Sequence, residues 1–189
     1  MSHITVDPTK PGIIGLFAFR PETAKPLGEL VETLLRGPSS LTTGERELIG
    51  AVVSKENDCY FCAEAHGAFS AAQIEGGAET VAAAKKDITS APISDKLRAL
   101  LKVALATRES GHSVTSALID NAKAAGASEA DIHDTVLIAS LFSLFNRYVD
   151  GLATDAPDQP EWYAGAAQAL VAGGYAAISG AAQAEAQAA

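Results

Sequence analysis

The sequence predicts an all-α fold of many packed helices, and two observations lead to this prediction. Alanine is abundant, whereas aromatic residues make up only 6% of the chain, a balance that favours close helix packing over a β-sandwich. Apolar residues also recur at helical spacing in successive segments that end at glycine or proline. With 48% hydrophobic and 20% charged residues, residues 1–189 fit one globular helical domain.

Most of the expected helices have a recognisable start or end. The first runs over 21–35 and stops before Gly37, and the second has Thr42 or Thr43 as its N-cap and ends near Lys55. A third begins at the cysteine pair described below. The remaining expected helices span 78–86, 94–108, 115–125, a long segment from 129 to about 152 that opens with a capping box, and 161–172.

Both ends of the chain differ in character from its centre. Residues 1–20 mix proline and glycine with an apolar patch from Ile13 to Phe19, so we expect an arm that lies over a neighbouring surface. The segment 173–189 is rich in alanine, glycine and glutamine. We expect this Ala-rich tail either to form a helix against a partner subunit or to be irregular, with its last ten residues irregular.

Charge and hydropathy exclude several classes of partner. The net charge of −9 leaves no basic surface for a phosphate backbone, so no nucleic-acid partner is expected. The longest apolar run, 135–145, is too short for a bilayer, which needs about 20 apolar residues. The first residues lack the pattern of a secretion signal. The expectation is a cytoplasmic protein without a membrane partner.

The two cysteines of the chain, Cys59 and Cys62, form a CxxC pair. In a reducing compartment this spacing favours redox or metal chemistry over a structural disulfide. Asn57 or Asp58 can cap a helix that begins near Cys59 and continues to about Ile74, and the free N–H groups of a helix start favour a thiolate. The alternative is that both cysteines are small buried hydrophobic residues without chemistry.

His66 lies four residues after Cys62, on the same helical face, where it could exchange a proton with the thiol. A histidine on a helix is, alternatively, an ordinary solvated side chain. Phe61 and the alanines around it predict a confined, partly apolar pocket. Zinc is the chemical rival, but there is no second CxxC, and the other histidines have no ligand spacing, so we expect no metal. Those other histidines are His3, His112 and His133.

Two stretches of the sequence carry a resemblance to a known family. The segment 41–67, with Glu47, the CxxC pair and His66 at their present intervals, resembles the core motif of the alkylhydroperoxidase D and carboxymuconolactone decarboxylase superfamily. Trp162-Tyr163 and Gly174-Tyr175 are similar to its longer, peroxidase-related subgroup. The resemblance extends over about residues 20 to 178.

The resemblance implies a compact alkylhydroperoxidase D-like fold with the CxxC at a helix N-terminus, assembled as a homo-oligomer, a trimer or hexamer. It implies a thiol-dependent peroxidase in which Cys62 meets the hydroperoxide and Cys59 resolves the resulting sulfenic acid. Glu47 and His66 would relay protons through water. The electrons would come from an external dithiol or lipoyl protein, with no cofactor besides the Cys59–Cys62 disulfide. Because Cys59 is nearer the helix start, we expect it to be the more reachable thiol.

One departure from the family keeps alternatives open. The best-known peroxidase of the family has a second histidine just before the second cysteine, where this chain has Phe61. This difference implies a lower peroxidase rate or a preference for another disulfide as substrate. The alternatives are a lyase like carboxymuconolactone decarboxylase, which would not need the CxxC, and a helical oligomer that senses oxidants without turnover.

Overall fold

The computed structural model describes residues 2–186, and the side chains of residues 2–175. This part of the chain is helical and contains no strand, which confirms the predicted all-α class. The helices are α1 (Ile13–Phe19), α2 (Pro21–Arg36), α3 (Thr43–Glu56), α4 (Tyr60–Ala71), α5 (Gly77–Lys86), α6 (Asp95–Glu109), a 3-10 turn (Gly111–Ser113), α7 (Ser116–Ala124), α8 (Glu129–Gly151) and α9 (Pro160–Ala186).

Capping side chains account for where the central helices begin. Thr42 caps α3 in a complete capping box with Glu45, and Ser128 caps α8 in the same way with Asp131, as the sequence predicted. Ser94 also accepts a hydrogen bond at the start of α6. These local contacts satisfy backbone N–H groups that a helix leaves unpaired. The predicted boundaries of α2 and of the helices from α5 to α8 are therefore correct to within one or two residues.

Helix α3 lies at the centre of the molecule and is buried on most sides. It packs against α4 on one side and against α6 and α8 on others. Gly50 allows the closest of these approaches, because a Cβ atom at this position would overlap the ring of Phe142 on α8. Phe142 is itself fully buried. The contact sets how closely α3 and α8 approach each other.

Gly50→Ala is expected to lower the free energy of unfolding by about 1–3 kcal/mol, because Phe142 has no free space into which to move. Gly28→Ala on α2 is the matched control, since a Cβ there meets nothing within 4 Å. The control should be neutral or more stable by up to about 1 kcal/mol, as alanine is the better helix former. Urea unfolding of both variants measures the difference. Equal stability of the two would contradict the packing described here.

The N-terminal segment packs on its own chain. Helix α1 contacts α2, α8 and α9, and Leu16 is completely buried there. Ile13 and Phe17 are half-buried, and only Phe19 is exposed over half of its surface. The predicted arm therefore lies over helices of its own chain, and α9 and α2 cover most of the apolar patch at 13–19.

The C-terminal helix is longer than the sequence indicated, and it bends. The predicted end near residue 172 lies just before Gly174, whose φ of 68° interrupts α9, and the helix then continues to Ala186. Glycine tolerates this φ because it has no Cβ. The expectation of an irregular end was wrong as far as residue 186, and residues 187–189 lie outside the described part of the chain. No helix in that part is long and apolar enough to span a bilayer.

Candidate active site

The CxxC pair lies where α3 turns into α4. Asp58, with a φ of 59°, makes the turn, and the Cys59 N–H donates a hydrogen bond of 3.0 Å to the carbonyl of Ser54. Cys59 is the N-cap residue of α4, so the expectation that Asn57 or Asp58 would cap this helix was wrong. Cys62 follows in the first turn, which brings both thiols to one face of α4.

Both cysteines are free thiols and both are buried, Cys59 completely and Cys62 to within 3% of its surface. The expectation that Cys59 would be the more reachable thiol is therefore not met. A hydrogen bond with Cys59 and then burial raise the pKa of Cys62 well above its ordinary value. The helix start was expected to favour a thiolate. The expectation was wrong for Cys62, because the surrounding helices remove water from the sulphur.

The raised pKa of Cys62 predicts an unusual pH profile for its alkylation. Iodoacetamide reacts with thiolate, so a raised pKa leaves little reactive form at neutral pH and shifts the rise in rate to more alkaline pH. We expect the rate at Cys62 to keep increasing at pH values where the same protein, unfolded in guanidinium, has already levelled off. Peptide mass mapping after timed alkylation measures the rate. Coincident profiles for folded and unfolded protein would contradict the prediction.

Glu47 and His66 form a hydrogen-bonded pair in the interior, between α3 and α4. Glu47 is completely buried, and its Oε2 lies 2.7 Å from Nδ1 of His66. The structure thus brings together two residues that are 19 positions apart in the chain. Aromatic rings enclose the imidazole, with the centroid of Phe142 at 4.4 Å and that of Phe69 at 5.1 Å. The pair is held in one orientation and shielded from bulk water.

Tyr175, on the far side of the kink in α9, completes this group. Its hydroxyl donates to Oε1 of Glu47 at 2.7 Å and lies 3.3 Å from Nδ1 of His66. Its backbone N–H donates to Glu32 on α2 at 2.8 Å. Burial, and then the charge of Glu47, raise the pKa of the phenol well above its ordinary value, so Tyr175 remains a hydrogen-bond donor. Sequence analysis did not assign Tyr175 to the site.

The Glu47–His66 pair is not hydrogen-bonded directly to the thiols. His66 lies one turn beyond Cys62 on α4, yet its hydrogen bonds go to Glu47 and Tyr175. None of the hydrogen bonds among the described side chains joins His66 to either cysteine. A proton passing between Cys62 and the pair therefore has to cross a water molecule or a bound substrate.

A second polar group contacts the thiols from α8. Asn146, which is buried, hydrogen-bonds with Cys62, and Asp150, one turn later, hydrogen-bonds with Cys59. The amide of Asn146 also donates to Oγ of Ser54 at 2.9 Å and accepts from the Asn57 amide at 2.9 Å. Burial raises the pKa of Asp150. Sequence analysis did not assign Asn146 or Asp150 to the site.

The group of Glu47, His66 and Tyr175 and the group of Asn146 and Asp150 border different cavities. On the side of His66 and Tyr175 lies an apolar cavity of about 70 Å³, which includes Phe61 and confirms the predicted confined pocket. The ring of Phe61 packs there against Trp162, with centroids 5.9 Å apart. A separate groove, lined mostly by polar residues, opens to solvent. Its lining residues are Asn57, Asn146, Arg147, Asp150 and Gly151.

The described residues contain no cluster of three or more histidine, cysteine, aspartate or glutamate side chains that could hold a metal ion. His133 is exposed and pairs with Asp134, while His112 lies exposed in the 3-10 turn. His3 is in the N-terminal segment. None of the three joins the cysteines.

Comparison with known proteins supports the fold. The sequence matches no family model and no curated protein. An uncharacterized peroxidase-related protein from Silicibacter sp. TM1040 superposes with a TM-score of 0.73 at 25% identity, over 82% of this chain and 79% of the other. An uncharacterized peroxidase-related protein from Ralstonia eutropha JMP134, described as an alkylhydroperoxidase AhpD core, gives 0.73 at 27% identity, over 79% and 78%. The chain has an alkylhydroperoxidase D-like fold.

Proposed function

We propose that this protein is a thiol-dependent peroxidase that reduces hydroperoxides through a Cys59–Cys62 dithiol–disulfide cycle. The observation that carries the proposal is the pair of adjacent buried thiols at the start of α4, next to the hydrogen-bonded Glu47 and His66. Two thiols in the first turn of one helix are close enough to form a disulfide with little backbone movement. The peroxidase-related descriptions of the similar structures support the same class of enzyme.

In the first step, Cys62 gives up its proton and its sulphur attacks the outer oxygen of the hydroperoxide. The O–O bond breaks, Cys62 becomes a sulfenic acid, and the alcohol leaves with a proton. Because the pKa of Cys62 is raised, a base has to take the thiol proton at neutral pH. The Glu47–His66 pair accepts it and returns it to the leaving oxygen, through a water molecule or through the hydroperoxide itself.

In the second step, Cys59 attacks the sulphur of the sulfenic acid, a disulfide forms, and water leaves. An external dithiol, either a small protein or a lipoyl group, then reduces the disulfide and is itself oxidised. The proposal includes a cytoplasmic location, expected from the sequence itself, and a homo-oligomer, a trimer or hexamer, expected from the family resemblance. The apolar cavity beside His66 favours a hydroperoxide with an apolar substituent over a charged one.

The test is the intact mass of the reduced protein after brief exposure to one equivalent of cumene hydroperoxide. The wild type should lose about 2 Da, as one disulfide forms. The double variant Cys59→Ser/Cys62→Ser should keep its mass under the same treatment. A wild type that stays reduced would overturn the proposal and favour the lyase alternative. A disulfide that forms but is never turned over by any dithiol would favour the oxidant sensor.

A further inference from the structure

The two thiols have a second polar environment that the peroxide chemistry above does not use. Asn146 and Asp150 project from adjacent turns of α8, one contacting Cys62 and the other Cys59. Both also line the polar groove that opens to solvent. This groove is separate from the apolar cavity, whose lining includes neither residue.

Asp150 differs from Glu47 in how it meets solvent. Glu47 is completely buried, whereas Asp150 is exposed on the wall of the groove and still hydrogen-bonds with the buried Cys59. An exposed carboxyl group in contact with a buried thiol provides a route for a proton between that thiol and water. Burial of part of the group raises the pKa of Asp150, which makes its carboxylate a stronger proton acceptor.

From this geometry we propose that the groove beside Asp150 admits the dithiol reductant and that Asp150 is the acid–base residue of disulfide reduction. The inference rests on the proposed function only in assigning the Cys59–Cys62 disulfide a place in a cycle. The hydroperoxide and the reductant then reach the two cysteines by separate routes, the first through the apolar cavity and the second through the groove.

The chemistry balances as follows. The carboxylate of Asp150 takes the proton of the first thiol of the reductant as that sulphur bonds to Cys59, and the Cys59–Cys62 bond breaks with its electron pair going to Cys62. Cys62 takes a proton from the Glu47–His66 pair, which regains one from solvent. The second thiol of the reductant loses its proton to solvent. Its sulphur then attacks the reductant sulphur that is bonded to Cys59. Cys59 leaves as a thiolate and receives the proton held by Asp150.

Access and proton transfer can be tested separately. Gly151 ends α8 at the rim of the groove, and a Cβ atom there meets nothing within 4 Å, so a larger side chain fits the fold and narrows the groove. Gly165 on α9 offers the matched control, because its Cβ also meets nothing within 4 Å and it lies outside the groove. For proton transfer, Asp150→Asn keeps the shape of the side chain, and Asp120→Asn on α7 is the control.

The experiment starts from protein oxidised with diamide, which forms the disulfide without any hydroperoxide. Its reduction is followed with dihydrolipoamide and with a phosphine, tris(2-carboxyethyl)phosphine, which attacks a disulfide without first losing a proton. Asp150→Asn should be reduced at least about tenfold more slowly than wild type by dihydrolipoamide, but no more slowly by the phosphine. Reduction of Gly151→Leu should be at least about threefold slower than that of wild type with both reagents. Both control variants should be reduced at the wild-type rate by either reagent.

Reduction of Asp150→Asn by dihydrolipoamide within twofold of wild type would overturn the role of Asp150. A Gly151→Leu protein reduced as fast as Gly165→Leu would overturn the entry route. If diamide forms no Cys59–Cys62 disulfide, this inference and the proposed function both fail. A protein inert to hydroperoxides whose disulfide reduction still depends on Asp150 would refute the peroxidase proposal alone.

Discussion

Replacing Cys62 by serine is expected to abolish hydroperoxide turnover, leaving only the uncatalysed rate of hydroperoxide consumption in buffer. Serine preserves the size of the side chain at this buried position but is a far weaker nucleophile toward oxygen. Consumption of cumene hydroperoxide with dihydrolipoamide as reductant measures the loss. Circular dichroism and the unfolding midpoint serve as controls that the variant folds.

Cys59→Ser should differ from Cys62→Ser in the product that it leaves. With Cys62 intact and its resolving partner missing, one equivalent of hydroperoxide should add about 16 Da, the mass of a sulfenic acid that dimedone traps. Cys62→Ser should gain nothing. The opposite assignment, with the adduct on Cys59 and turnover retained without Cys62, would exchange the roles of the two cysteines.

Glu47→Gln is expected to slow the reaction of hydroperoxide with Cys62 by about a hundredfold or more at neutral pH. The amide keeps the shape that Tyr175 and His66 require, but it removes the carboxylate that accepts the proton. Because the pKa of Cys62 is raised, few molecules ionise without this help. The rate of disulfide formation, measured by rapid quenching and mass spectrometry, gives the size of the effect.

The same change in a surface carboxylate provides the comparison. Glu79→Gln on α5, which is exposed, should react at the wild-type rate. Raising the pH should recover part of the activity of Glu47→Gln, since water and hydroxide then ionise the thiol directly. A Glu47→Gln protein that reacts within threefold of wild type at pH 7 would show that Cys62 loses its proton by another route.

Sequence reasoning located most helices and four central residues of the site because their signals are local. The Thr42 cap and the Ser128 capping box each lie within four consecutive residues, and the spacing from Cys62 to His66 is about one helical turn. Sequence analysis did not identify Tyr175 because the residue that it contacts, Glu47, lies 128 positions away in the chain. The periodicity of the sequence does not predict such a contact, since the contact depends on how α9 bends and packs against the other helices.

The direction of the Cys62 pKa could not be read from the sequence for a related reason. A helix start favours a thiolate, but burial opposes it, and burial is decided by helices from other parts of the chain. The same limit applies to α1, whose apolar face looked unpartnered until α9 and α2 were seen to cover it. Local patterns predict elements, whereas tertiary packing sets the chemistry of the groups they carry.

The contact between Phe61 and Trp162 should allow the fluorescence of Trp162 to report the redox state of the two cysteines. Trp162 is the only tryptophan in the chain, and Phe61, against which it packs, stands between the two cysteines in the sequence. The disulfide links the residues on both sides of Phe61, so we expect its formation to shift the ring that packs against the indole. The emission of a single fluorophore should therefore report each oxidation and each reduction in real time, without a label, in wild type and variants alike.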